Sequence, residues 1–269
     1  MTLSPPLFPL TLGLYAVACT LYYVHLAVSL SRESKFSRPA DIVLLLGFVS
    51  HGVDITWLCL HGLHPGVNVR EALSFVAWLT AGAYLVVTRR AQLPTVGLLV
   101  VPVVLVLEVA ARFAPGQETR RGLSPVGTLH IVLSSAGVAL LSIAAGGAAV
   151  YLIVERRLKQ KQATRLGRRG IALETLDTIN QRLVLAGFPM FTLALVAGVI
   201  WMAELHSSVD RMAPQLALSV LTWMLYAGLL VARRAAGWRG GRAAKLTLVG
   251  FALLLTVLMT YFIHGVFGS

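Results

Sequence analysis

A succession of apolar runs, each close to 20 residues and separated by short polar or basic pieces, most restricts what this chain can become. Wound as an α-helix at about 1.5 Å per residue, such a run covers the roughly 30 Å of a hydrocarbon core. The pattern predicts eight spans, at about 7–30, 39–60, 69–88, 92–113, 127–154, 183–204, 214–233 and 243–266. The runs are continuously apolar rather than alternating, so helices are expected and a barrel is not. The expected fold class is all-α, a polytopic membrane helix bundle of about eight transmembrane helices. Only 13% of the 269 residues are charged, against about 25% in a typical soluble domain. Mean hydropathy is +0.78. No polar block is long enough to build a soluble domain, so residues 1–269 read as a single transmembrane domain.

The formal charge of +12 does not point to nucleic acid, because the basic residues sit in short blocks between apolar runs. One set of loops carries Arg32, Lys35 and Arg38, then Arg89 and Arg90, then Arg156 to Arg169 with Arg182, and finally Arg233, Arg234, Arg239, Arg242 and Lys245. The opposite set carries only Arg70, Arg112, Arg120, Arg121 and Arg211. The richer set is assigned to the cytoplasm by the positive-inside rule, which puts both termini outside. The first residues, MTLSPPLFPLTLGLY, lack a charged leader and read as a retained first span. The segment 155–182 is the longest polar one. Its first half is a basic cytoplasmic loop suited to anionic lipid headgroups. Its second half spaces Leu173, Leu176, Ile179 and Leu183 as a short amphipathic helix on the inner surface.

This topology puts His61, His64, His130, His206 and His264, five of the seven histidines, at or beyond the outer surface. His130 opens the fifth span and His264 closes the eighth, each about one helical turn inside the apolar boundary. If those two helices are neighbours, the imidazoles can face one another across a flat ligand, and neutral imidazole is a common ligand of haem iron. Interfacial anchoring is the alternative for each one alone. His51 and Asp54 share a face of the second span. Either Asp54 orients His51 as a second haem ligand or proton-handling group, or the two bond neighbouring helices. Glu108 and Arg112, four apart, are expected to neutralise each other. Arg112 and Arg211 belong to the outer cations that can hold haem propionates or lipid phosphates. His61 and His64 leave a transition-metal site open, although such a site needs three or four convergent ligands.

Cys19 and Cys59 lie inside apolar runs without a C-x-x-C pair, so no thiol–disulfide or zinc-ribbon chemistry is expected. P-loop, G-x-S-x-G, H-E-x-x-H and Rossmann signatures are missing, and the chain is not expected to be an enzyme.

The segments LHIVLSSAGVALLSIAAGGAAVYLIVERRLK, LETLDTINQRLVLAGFPMFTLALVAGVIWM, LTWMLYAGLLVARRAAGWRGGRAAKLTLVGF and YFIHGVF resemble the integral-membrane cytochrome c assembly family, nearest its HemX-like branch of eight-span proteins. The resemblance covers roughly residues 40–269. It implies a bacterial inner-membrane protein that handles haem b, with His130 and His264 as the outer-face pair and His51 as an intramembrane candidate. It implies cytochrome c maturation components as partners. In the HemX-like branch it implies control of the tetrapyrrole-synthesis enzyme glutamyl-tRNA reductase through the 155–182 loop. Transport of haem or a precursor past His51 and Asp54 is a third expectation. The family's tryptophan-rich haem-presenting segment would fall at residues 205–213, where this chain reads LHSSVDRMA and keeps only Trp201 at the edge.

Overall fold

The computed structural model describes residues 5–29, 37–65, 68–91, 96–114, 124–160, 173–205 and 209–267. Among these residues eight helices follow one another: α1 (Phe8–Ser29), α2 (Ser37–Leu60), α3 (Val69–Ala91), α4 (Gly97–Phe113), α5 (Pro125–Lys159), α6 (Leu173–Glu204), α7 (Val209–Ala235) and α8 (Gly241–Phe267). No strand occurs among the described residues. Among the described residues, seven helices are long and apolar enough to cross a membrane. The exception is α4, whose 17 residues reach about 26 Å. The fold is a polytopic helix bundle, as the apolar runs predict.

Packing divides the bundle into two halves. In the first, α1 packs on α2 and α4, and α3 packs on α4 and α2. In the second, α5 packs on α6 and α8, and α7 packs on α8 and α6. Contacts of α5 with α3 and α4 join them. The central helix is α5: 72% of its apolar window is buried, against 22% for α1, α7 and α8. Its small-residue sequence, SSAGVALLSIAAGGAAV, explains that position. A Cβ at Gly137 would stand 3.3 Å from the backbone nitrogen of Phe191, and one at Gly187 3.2 Å from Leu140 and Leu141. Small residues let helix backbones approach closely where lipid offers no hydrophobic drive to associate.

At its inner end the second half is tied by a buried polar node. Arg233 Nη2 donates to Asp177 Oδ1 at 3.1 Å and to Asn180 Oδ1 at 2.8 Å. Asn180 Nδ2 donates to the Ala144 carbonyl at 2.8 Å, and Gly240 N donates to Asp177 Oδ1 at 3.2 Å. The turn between α7 and α8 uses left-handed backbone at Gly237 and Gly240, both at φ 63°, a conformation glycine adopts at little steric cost.

This node changes one expectation. Residues 173–182 are not a separate helix on the membrane surface but the first turns of the 32-residue α6. Asp177 and Asn180 in these turns face α7, α8 and α5, while Glu174, Thr178 and Arg182 stay exposed. Residues 161–172, the heart of the basic loop and of the regulatory reading, lie outside the described residues.

Candidate functional site

The start of α5 is fixed by its cap. Ser124 Oγ accepts the Gly127 N–H at 3.1 Å, and Pro125 occupies the first turn, an arrangement suited to a helix N-terminus. The same hydroxyl donates to Glu204 Oε2 at 2.7 Å, which ties the start of α5 to the end of α6. His130 follows, half-buried, with Nδ1 2.7 Å from the carbonyl oxygen of Ala194 on α6. A carbonyl only accepts, so Nδ1 carries the proton and the neutral ring keeps its lone pair on Nε2. No hydrogen bond to Nε2 is made by any described residue. The ring rests 5.8 Å from that of Trp201. It fits because position 198 has no side chain: a Cβ there would stand 2.8 Å from His130 Nδ1 and Cε1.

The expected neighbour is in place at the level of the backbone, since α5 packs on α8. At the inner end a Cβ on Gly241 would meet Glu155 Oε2 at 2.8 Å, which fixes the antiparallel register there. From Glu155 back to His130 is 25 residues and from Gly241 to His264 is 23. These are rises of about 38 and about 35 Å, so the two histidine positions stand at similar height. The side chains of His264 and Arg211, and all of His206, lie outside the described residues. Arg112 is exposed on the other half of the bundle, its guanidinium 5.9 Å from the centre of the Phe8 ring. His61 Nδ1 lies 2.7 Å from the Trp57 carbonyl oxygen, and both His61 and His64 are exposed. No group of three or more metal-ligating side chains converges among the described residues.

His51 is placed differently from His130. Only 1% exposed, it has Tyr15 Oη 3.1 Å from Nδ1 and Ser74 Oγ 2.7 Å from Nε2. Glu108 Oε2 lies 3.3 Å from Nε2. Both ring nitrogens are engaged, and an iron could be ligated only after Ser74 and Glu108 gave way. Asp54 does not orient this ring. Its carboxylate accepts the Leu7 N–H at 2.8 Å and the Thr11 hydroxyl at 3.4 Å, which caps the start of α1. Glu108 turns to His51 and not to Arg112, the neighbour one turn along its own helix. The sequence reading missed this cross-helix pair, because partners 57 positions apart leave no periodic signal. Farther inward, an apolar cavity of about 500 Å³ is lined by Phe48, Trp78, Gly82, Ala139, Leu140 and Met190 among others. Its lining carries no acid, base or histidine.

Residues 66–268 match the family described as cytochrome C assembly protein. This chain belongs to the cytochrome c assembly family. A relative named cytochrome c biogenesis protein CcsA, from Microcystis aeruginosa, is 27% identical over 275 residues, covering 80% of this chain and 84% of its own length. A protein of the same name from Prochlorococcus marinus is 26% identical, with 91% and 87% coverage. One from Gloeobacter violaceus is 36% identical over a shorter stretch, 47% of this chain and 36% of its own. No solved structure matches. Membership agrees with the helix bundle and makes the protein a multi-pass membrane protein of the cytochrome c assembly type.

Proposed function

We propose that this protein holds haem b at the outer face of a bacterial inner membrane, with His130 and His264 as the two axial ligands, and passes it toward cytochrome c maturation components. The observation that carries this reading is the Nδ1 contact of His130 with the Ala194 carbonyl. Iron-binding histidines characteristically donate their second ring N–H to a carbonyl or carboxylate, which fixes the tautomer and aims the free nitrogen. Here α6 holds the ring while Nε2 is left to a ligand. His264 is the matching residue by helix adjacency and height. Arg211, in the first turn of α7, is the outer cation beside that helix, and its role is to meet carboxylates at the edge of the ring. Arg112 stands over Phe8 on the other half of the bundle and serves as a secondary cation. Trp201 covers the flank of His130 and keeps water from it. Bound haem supplies a redox-active iron whose behaviour depends on these axial nitrogens and on burial. The chain's own work is to bind, orient and shield. The basic inner loop meets anionic lipid, and no bond-making step is assigned to any side chain.

Haem titration of the detergent-purified protein, followed by absorption in oxidised and reduced states, tests this. A low-spin haem spectrum should form with the wild type and be lost or converted to high spin in both His130→Ala and His264→Ala. Unchanged spectra in both variants overturn the assignment.

A further inference from the structure

A second site lies in the other half of the bundle, at the outer ends of α1–α4. His51 and Glu108 are 1% and 3% exposed, with Nε2 and Oε2 3.3 Å apart. Glu108 Oε2 is buried without a hydrogen-bond partner. Ser74 hydrogen-bonds the same carboxyl and its Oγ lies 2.7 Å from Nε2, but it is neutral, and a buried carboxylate without a counter-charge is costly, as is a buried imidazolium. The two groups are tolerable together if one labile proton lies between them, on Oε2 or on Nε2, because either placement leaves the pair net neutral. In both placements the His51 Nδ1–H is directed to Tyr15 Oη, 3.1 Å away. Loss of that proton leaves a single negative charge on the carboxylate; when the remaining ring proton shifts from Nδ1 to Nε2, facing Glu108, Nδ1 accepts from the Tyr15 hydroxyl.

The charged and titratable neighbours do not supply a competing partner. From α1 there is Tyr15. From α2 there is Asp54, one turn outward and occupied by Leu7 N–H and Thr11. From α3 there are Glu71 and Arg70, and the Arg70 guanidinium is spent on the Ala114 carbonyl at 2.9 and 3.1 Å. From α4 there is Arg112, exposed over Phe8. His51 is thus the one base within ion-pair distance of Glu108 among the described residues.

Access is one-sided. Next to the pair lies a second polar group of side chains that leads outward: Ser50, adjacent to His51 on α2, has its Oγ 2.8 Å from Thr11 Oγ1, and Thr11 donates to Asp54 near the start of α1. Inward of it Ala18, Leu44, Ala77, Val101 and Val104 are buried and apolar, and they separate the pair from the Tyr22–Asp41 contact nearer the inner side; the Thr80 hydroxyl is bonded to its own helix, at the Val76 carbonyl. We infer that His51 and Glu108 form a proton-binding site, distinct from the His130 site, that exchanges its proton with the outer face through Thr11, Ser50 and Asp54 and is sealed from the inner face.

Infrared difference spectroscopy of the full-length protein in lipid vesicles, recorded through a pH jump, tests it. The wild type should show a carboxyl C=O band that appears on acidification and a coupled imidazole change. The carboxyl band should be lost in Glu108→Gln, which keeps the shape of the side chain, and retained in Asp54→Asn. His51→Gln, checked for folding by gel filtration, should shift the pH at which the band appears. Thr11→Val should leave the band but slow its appearance severalfold. A band that persists in Glu108→Gln, or no pH-dependent carboxyl band while the wild type stays folded, overturns the site. An unchanged rate in Thr11→Val overturns the outward route.

Discussion

The two halves of the bundle each place a histidine among helices, and its surroundings give it opposite properties. In α1–α4, His51 is enclosed by Tyr15, Ser74 and Glu108, so both nitrogens are committed. In α5–α8, His130 is held through Nδ1, against a main-chain carbonyl, and no described residue bonds its other nitrogen. A carbonyl can only fix a tautomer, whereas an acid and a hydroxyl can also trade a proton. Residue identity does not separate the two histidines. Their hydrogen-bond partners do.

The largest effect that would break this contrast is expected at His51. Replacing it with leucine leaves the Glu108 carboxyl buried without its base, and losing one partner of a buried pair costs about 3–5 kcal/mol. Thermal unfolding in detergent should show a marked fall in Tm, while the fraction that remains folded still binds haem. A smaller loss, about 2–3 kcal/mol by the same measurement, is expected for Arg233→Ala, which strips the inner node of its charged donor and leaves Asp177 and Asn180 under-bonded. Gly198→Ala sharpens the other side of the contrast. Its Cβ would sit 2.8 Å from the imidazole, so the ring must leave Ala194. Loss of such an outer hydrogen bond typically weakens a metal site by about 10–100-fold, which haem titration will read with little change in stability. The smallest effect is expected at Arg112. Its exposed contact with Phe8 is worth about 0.5–1 kcal/mol, and Arg112→Gln should alter haem affinity less than Arg211→Gln does.

Much of the architecture was legible because membrane insertion writes itself into local composition. Eight apolar runs became eight helices. His130 stood out because it opens an apolar run. The pairing of Glu108 was not legible. Arg112, four residues on, is the partner that helical spacing suggests, yet the true one lies on α2 and is reached only when α2 and α4 pack around α1 and α3. The amphipathic spacing of Leu173, Leu176, Ile179 and Leu183 misled for a related reason. Spacing shows that a stripe exists, but only the buried Arg233 and the α7–α8 turn show that Asp177 and Asn180 beside it face protein. Asp54 likewise shares a helix face with His51, but its carboxylate reaches across to cap α1.

Electron paramagnetic resonance of the ferric, haem-loaded protein bears most directly on the division of roles between the two halves. The wild type should give a low-spin bis-imidazole signal. That signal should survive His51→Gln and give way to a high-spin signal in both His130→Ala and His264→Ala. Loss of the low-spin signal in His51→Gln, with His130→Ala unaffected, would contradict the assignment and move the iron into the first half of the bundle.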